Sequence, residues 1–164
     1  MNSVALEYVM SRLIKCLAVC LLGIAASGSA QASLGQKTAS VDADRARFSA
    51  KMSTLRLVNY DRHELTLDSG TITREYVSGG VVFAVSWQGP VRPDLKQIFA
   101  DYYPRFQADN VPAGRIRMRR ALASTHDDFI VRTGGHSGAF WGYAYLPAAI
   151  PPSFTPAALT GTNP

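Results

Sequence analysis

Three β-type runs, residues 64–67, 71–77 and 81–87, follow one another with only Asp68-Ser69-Gly70 and Ser78-Gly79-Gly80 between them. A parallel pairing needs a crossover of a dozen or more residues, so gaps this short commit the runs to antiparallel hairpins. Successive side chains on a strand point to opposite faces. Leu65 and Leu67 therefore share one face of the first run. Ile72 and Tyr76 share a face of the second, with Arg74 between them. On the third, strict alternation puts Val81, Phe83, Val85 and Trp87 on one side and Val82 and Ala84 on the other. Both sides are apolar, which predicts a central strand covered on both faces.

The flanking segments supply helices. Ser40 reads as an N-cap, with Asp42 and Asp44 against the positive end of a helix running to about Met52. Val41, Arg45, Phe48 and Met52 form its narrow stripe. Gly89-Pro90 ends the meander. Asp94 then caps a second helix carrying Leu95, Ile98, Phe99, Tyr102 and Tyr103, which Pro104 ends or kinks. A loop follows over 109–114. Residues 115–119 alternate arginine with apolar bulk as an exposed strand does, residues 129–132 form another, and a glycine-rich turn leads to a last strand over 139–146. Four prolines, at 147, 151, 152 and 156, keep the C-terminal segment irregular, and it is expected to be loosely held beyond about Pro152. The fold class is α+β: an antiparallel sheet of five or six strands with two helices, in the order α-β-β-β-α-(β)-β-β, the helices packing on one face through Phe48, Leu95, Ile98, Phe99 and Tyr102. Residues 33–150 make the domain and 151–164 the proline-rich tail.

Residues 1–32 read as a secretory signal peptide. Arg12 and Lys15 form the basic region, and the apolar stretch over 13–26 is too short to span a bilayer comfortably. Ala30-Gln31-Ala32 offers small residues where a signal peptidase reads, which puts cleavage after Ala32; Met10 is a plausible start. Cys16 and Cys20 both lie in this segment, so the mature chain has no disulfide or thiolate. A lipoprotein site at Cys20 fits poorly, because bulky Val19 precedes it. The remaining chain, with 47% apolar and 18% charged residues in the whole, has the balance of a globular protein.

The motifs that bear on chemistry are few. Gly135-His136-Ser137-Gly138-Ala139 approaches the nucleophile elbow, with Ser137 as nucleophile, but a strand follows it and no histidine lies downstream. A tight hairpin turn is the simpler reading. His63, His126 and His136 show no metal-ligand spacing, and His126-Asp127-Asp128 reads as a polar turn, so neither metal nor cofactor is expected. Glu64, Glu75 and Asp101 contain no pair whose spacing alone argues for acid–base work. Arg115, Arg117, Arg119 and Arg120 form the densest basic cluster, able to hold phosphate, an acidic glycan or anionic lipid, or to guard an exposed edge strand. Trp141, Tyr143 and Tyr145 share one face of the last strand, with Phe140, Ala144 and Leu146 opposite. One of these faces belongs to the core. The other is either covered too or a stacking platform.

Arg74-Glu75-Tyr76-Val77, residues 82–90, Pro93-Asp94-Leu95, Gly134-Gly135-His136 and Gly138-Ala139-Phe140 together resemble the DUF2844 family of exported bacterial proteins. Ser33-Leu34-Gly35 and Ser40-Val41 with Asp44 fit it as well. Residues 115–120 match least. The resemblance implies an envelope protein of Gram-negative bacteria and brings no catalytic residues.

The expected function is a non-catalytic periplasmic or secreted binding module. Its contacts would be His136, Trp141, Tyr143, Tyr145 and the four arginines 115, 117, 119 and 120. Its partner would be an envelope protein, a glycan or an anionic surface. A net charge of +5 suits anionic partners, although nucleic acid is not expected for an exported domain. The rival is a small envelope hydrolase with His136 as base and Ser137 or Asp101 assisting.

Overall fold

The computed structural model describes residues 34–47, 49–111 and 121–160. The expected signal peptide over 1–32, Phe48, the strand expected over 115–119 and the four clustered arginines lie outside the described residues. In chain order the elements are α1 (Ala39–Arg47), β1 (Lys51–Arg56), β2 (Asp61–Thr66), β3 (Ile72–Ser78) and β4 (Val81–Gly89). There follow α2 (Leu95–Phe99), a 3-10 turn (Ala100–Tyr102) and α3 (Tyr103–Asp109). Then come β5 (Ala121–Thr125), β6 (Ile130–His136), β7 (Ala139–Tyr145), a second 3-10 turn (Pro147–Ala149) and the short α4 (Ala157–Thr160).

The fold is α+β with one antiparallel sheet, as expected, but the sheet has seven strands, ordered β1-β2-β3-β4-β7-β6-β5. It is two meanders joined edge to edge: β1–β4 and β5–β7 meet where β4 pairs with β7. Two strands are missing from the sequence reading: β1, and β5 over Ala121–Thr125, which pairs with β6 C-terminal to the segment expected as a strand over 115–119. Helix α1 stops at Arg47 rather than near Met52, Ser49 takes a positive φ of 50°, and Lys51–Arg56 pairs along β2. β1 is exposed at almost every position, so no alternation marks it. The second helix also divides. Asp94 caps α2 as read, accepting from the Lys96 and Gln97 amides. Ala100 then adopts φ 43°, and Pro104 lies in the first turn of α3, where a missing N–H costs nothing.

β4 departs from strict alternation. The register slips between the pairs Tyr76↔Ala84 and Val77↔Val82, leaving Phe83 as an extra residue. This bulge re-aims the strand. Val82 therefore joins Val85 and Trp87 on the helix face, while Phe83 joins Ala84 on the other.

The helix-side core contains Val41, Val82, Val85, Trp87, Ile98, Phe99, Phe106, Phe129, Val131 and Ala144, with Leu95 and Tyr102 packed against it. Phe99 lies at its centre, 5.8 Å from Trp87, 5.0 Å from Phe106 and 5.7 Å from Phe129 between ring centroids. The opposite face holds a smaller cluster. There Phe154 meets Tyr60, Tyr76 and Phe83 edge-on at 4.9–5.3 Å, and Leu159 is buried beside them. The proline-rich tail is thus not loosely held up to Thr160. Its prolines hold the backbone in turns while Phe154 and Leu159 anchor it on the sheet.

Gly142, on β7, is opposite Trp87 on β4. A methyl group there would overlap the six-membered ring of the indole, which is fully buried. Neither strand has room to move, since β4 and β7 are each paired on both sides. Replacing Gly142 by Ala is expected to destabilise the protein by about 1–3 kcal/mol, as overpacking a filled core does. Chemical denaturation measures this, and the loss should shrink when Trp87→Leu is present, because the two changes share one contact.

Candidate binding face

Cross-strand partners share a face of the sheet, so the register assembles the side chains of the face away from the helices. One row runs Glu64–Arg74–Ser86–Tyr143–Arg132 across β2, β3, β4, β7 and β6. The row on one side is Arg62–Tyr76–Ala84–Tyr145–Ile130. The row on the other is Thr66–Ile72–Gln88–Trp141–Gly134. The C-terminal segment covers the end near Tyr76 and Phe83 through Phe154 and Leu159. Toward Gln88 and Trp141 the side chains remain partly exposed.

Alternation along β7 places Trp141, Tyr143 and Tyr145 on this face, as the sequence reading had it. All three are half-buried. The rings of Tyr143 and Tyr145 are 6.4 Å apart and only 19° from parallel. Burial raises the Tyr145 hydroxyl above its ordinary pKa, Tyr143 adds to the rise, and the nearby positive charge of Arg132 opposes it. On the reverse of the strand, Ala144 and Leu146 enter the core, and the Arg92 guanidinium lies 4.9 Å over the Phe140 ring.

The charged neighbours of this stripe come from strands whose sequences gave no hint of convergence. The Arg74 Nε donates to Glu64 Oε2 at 2.8 Å, and both side chains are largely covered. Arg132 is exposed beside Tyr143. Three buried polar atoms of this face have no hydrogen-bond partner among the described residues: Arg62 Nε, Arg74 Nη1 and Ser86 Oγ. The position of Arg74 between Ile72 and Tyr76 was the one available signal. The other charges could be grouped only once the strand order was known.

His136 and Ser137 stand apart from an elbow geometry. Ser137-Gly138 is the two-residue link between β6 and β7, with Gly138 at φ 91°, so strand follows turn. His136 and Ser137 are exposed, and His136 Nδ1 lies 3.0 Å from the Ser137 carbonyl oxygen. Asp101 sits exposed on the 3-10 turn between α2 and α3. His126 pairs with Asp109 at 2.8 Å, and Arg105 grips Asp128 with two bonds of 2.6 and 3.0 Å. These pairs tie α3 to the β5–β6 turn. Among the described residues no three histidines or carboxylates are grouped to hold a metal ion.

A second polar group was not foreseen. Asp44 is not a solvated partner of the helix dipole; it is buried under α1 against Glu75 of β3. Gln97 of α2 donates to Asp44 Oδ1 at 2.5 Å. His63, the cross-strand neighbour of Glu75, shares a hydrogen bond with Thr54 Oγ1 through Nδ1 at 2.9 Å. Burial pushes the Glu75 carboxyl up to about 8, and the charge of Asp44 and the hydrogen bond to it push the same way. Near neutrality Glu75 keeps its proton, which lets it donate to the Asp44 carboxylate. The two residues are far apart in sequence, so spacing could not announce the pair.

A family model described as "Protein of unknown function (DUF2844)" matches residues 30–159. No curated protein and no solved structure matches the chain.

The carboxyl pair makes stability depend on pH. Glu75 titrates higher in the folded protein than in the unfolded chain, so its contribution is complete below about pH 4.5 and lost as pH rises through about 8. Thermal unfolding between pH 5 and 9 should show a melting temperature that falls across this window. Glu75→Gln, which still offers Asp44 a donor, is expected to flatten the fall. An equal slope in the two proteins would contradict the shared proton.

Proposed function

We propose that this chain, which belongs to the DUF2844 family, is an exported, non-catalytic module of the bacterial envelope that binds a ligand or partner across the uncovered end of its sheet. Export rests on residues 1–32, with their basic start, short apolar stretch and Ala30-Gln31-Ala32. Among the described residues no helix is long and apolar enough to cross a membrane.

The observation that carries the binding reading is the stripe of Trp141, Tyr143 and Tyr145, partly exposed on the face away from the helices. Large aromatic side chains left half in water beside arginines are the composition of binding hot spots. Among the described residues the tail covers the end of this face at Tyr76 and Phe83. The hydrolase reading on His136 and Ser137 has less behind it, because the imidazole Nδ1 approaches the serine carbonyl and not its hydroxyl.

The purified mature protein should co-sediment with isolated envelope fragments. In the Trp141→Ala, Tyr143→Ala double variant the bound fraction should fall about tenfold or more, given that truncating a hot-spot aromatic costs about 2 kcal/mol or more. Far-ultraviolet circular dichroism checks that the variant is folded. Equal binding by the two proteins would remove the stripe from the account, and N-terminal sequencing that finds residues before Ser33 would remove the export.

A further inference from the structure

We infer that the uncovered end of the sheet takes an acidic oligosaccharide, a chain of sugar rings carrying carboxylates. This rests on the reading of that face as a binding surface and adds the chemistry of what it binds.

The shape argument comes from β7. Side chains two residues apart on a strand repeat about every 6.8 Å. Trp141 and Tyr143 therefore stand in file toward the open end, and Tyr145 continues the file against the Phe154 cluster, its ring within 19° of parallel to that of Tyr143. A row of flat apolar surfaces at regular spacing matches a polymer that shows one C–H face per ring. A peptide strand lacks that match, because alternate side chains would point away from the platform.

The charge argument comes from the strands on either side. In the three rows of this face the cationic side chains are Arg62, Arg74 and Arg132, and Lys51 extends the Trp141 row onto β1. Glu64 is the one carboxylate in these rows among the described residues, and it is already engaged by Arg74. Among the described residues Arg74 Nη1 is an obligate donor without a partner and the Ser86 hydroxyl beside it also has none, while Arg62, whose Nε is likewise unpartnered, lies in the Tyr76 row nearer the tail. Arg132 flanks Tyr143 directly on β6, and Arg74 lies two strands away on the other side, across Ser86. With strands about 4.8 Å apart, guanidinium groups bracket a ring seated on Tyr143. A carboxylate on that ring meets a forked donor suited to it.

The test titrates the purified protein by calorimetry with a hexamer of galacturonate, and with the same hexamer methyl-esterified so that rings remain and charges go. The acid form should bind at least tenfold more tightly than the ester, and its affinity should fall as salt rises. Arg132→Gln, at an exposed position, should weaken the acid form about fivefold or more and leave the ester unchanged. Equal binding of acid and ester, both lost in Trp141→Ala, would overturn the acidic ligand and leave the binding face standing. Binding of the acid form that survives Trp141→Ala would overturn the placement. Binding of neither hexamer would overturn this inference, while the envelope co-sedimentation judges the underlying reading separately.

Discussion

The structure turns on the contact between the Trp87 indole and Gly142, where β4 meets β7. Each meander is made by local turns and would form a ribbon with unpaired edges. Joining β4 to β7 turns two ribbons into one sheet of seven strands and puts β4 at its middle. Trp87 fills the space above that seam only because residue 142 has no side chain. Phe99 then rests on Trp87, and Phe106 and Phe129 rest on Phe99. Helices α2 and α3 are positioned by this stack, so the helix face of the domain is built outward from the seam.

The two faces of the sheet meet different fates. The helix face is closed by aromatic packing and by the carboxyl pair Asp44–Glu75, which ties α1 to β3. A buried carboxyl pair is tolerable because one member keeps its proton. Among the described residues the other face is closed where Phe154 and Leu159 reach, over Tyr76 and Phe83. The bulge at Phe83 supplies the aromatic ring that receives Phe154. Tyr143 and Tyr145 pack against the edge of that cluster and stay partly exposed, and Trp141 continues the stripe beyond it.

How much of this was legible depends on whether a feature is local. The turns at 68–70 and 78–80, the Asp94 cap and the alternation of Trp141, Tyr143 and Tyr145 are written in a few adjacent residues, and each stands as read. β1 was missed because Lys51–Arg56 is exposed on an edge, where long-range pairing and not hydrophobic pattern makes the strand. The Phe83 bulge inverted the expected faces of half of β4, and no single-strand pattern announces an extra residue. Pro151, Pro152 and Pro156 read as looseness, yet two apolar side chains among them suffice to hold the segment. The arginines beside the stripe and the Asp44–Glu75 pair were invisible for one reason: their members come from separate elements and meet only through the strand order.

The central claim is that one face of this sheet is sealed and the far end of the other is open. Hydroxyl-radical footprinting of the native protein, read by mass spectrometry, addresses it directly, because the chain's two tryptophans lie on opposite faces. The account predicts rapid oxidation of Trp141 and Tyr143 with Trp87 and Phe99 protected until unfolding. Protection of Trp141 and Tyr143 equal to that of Trp87 would contradict it.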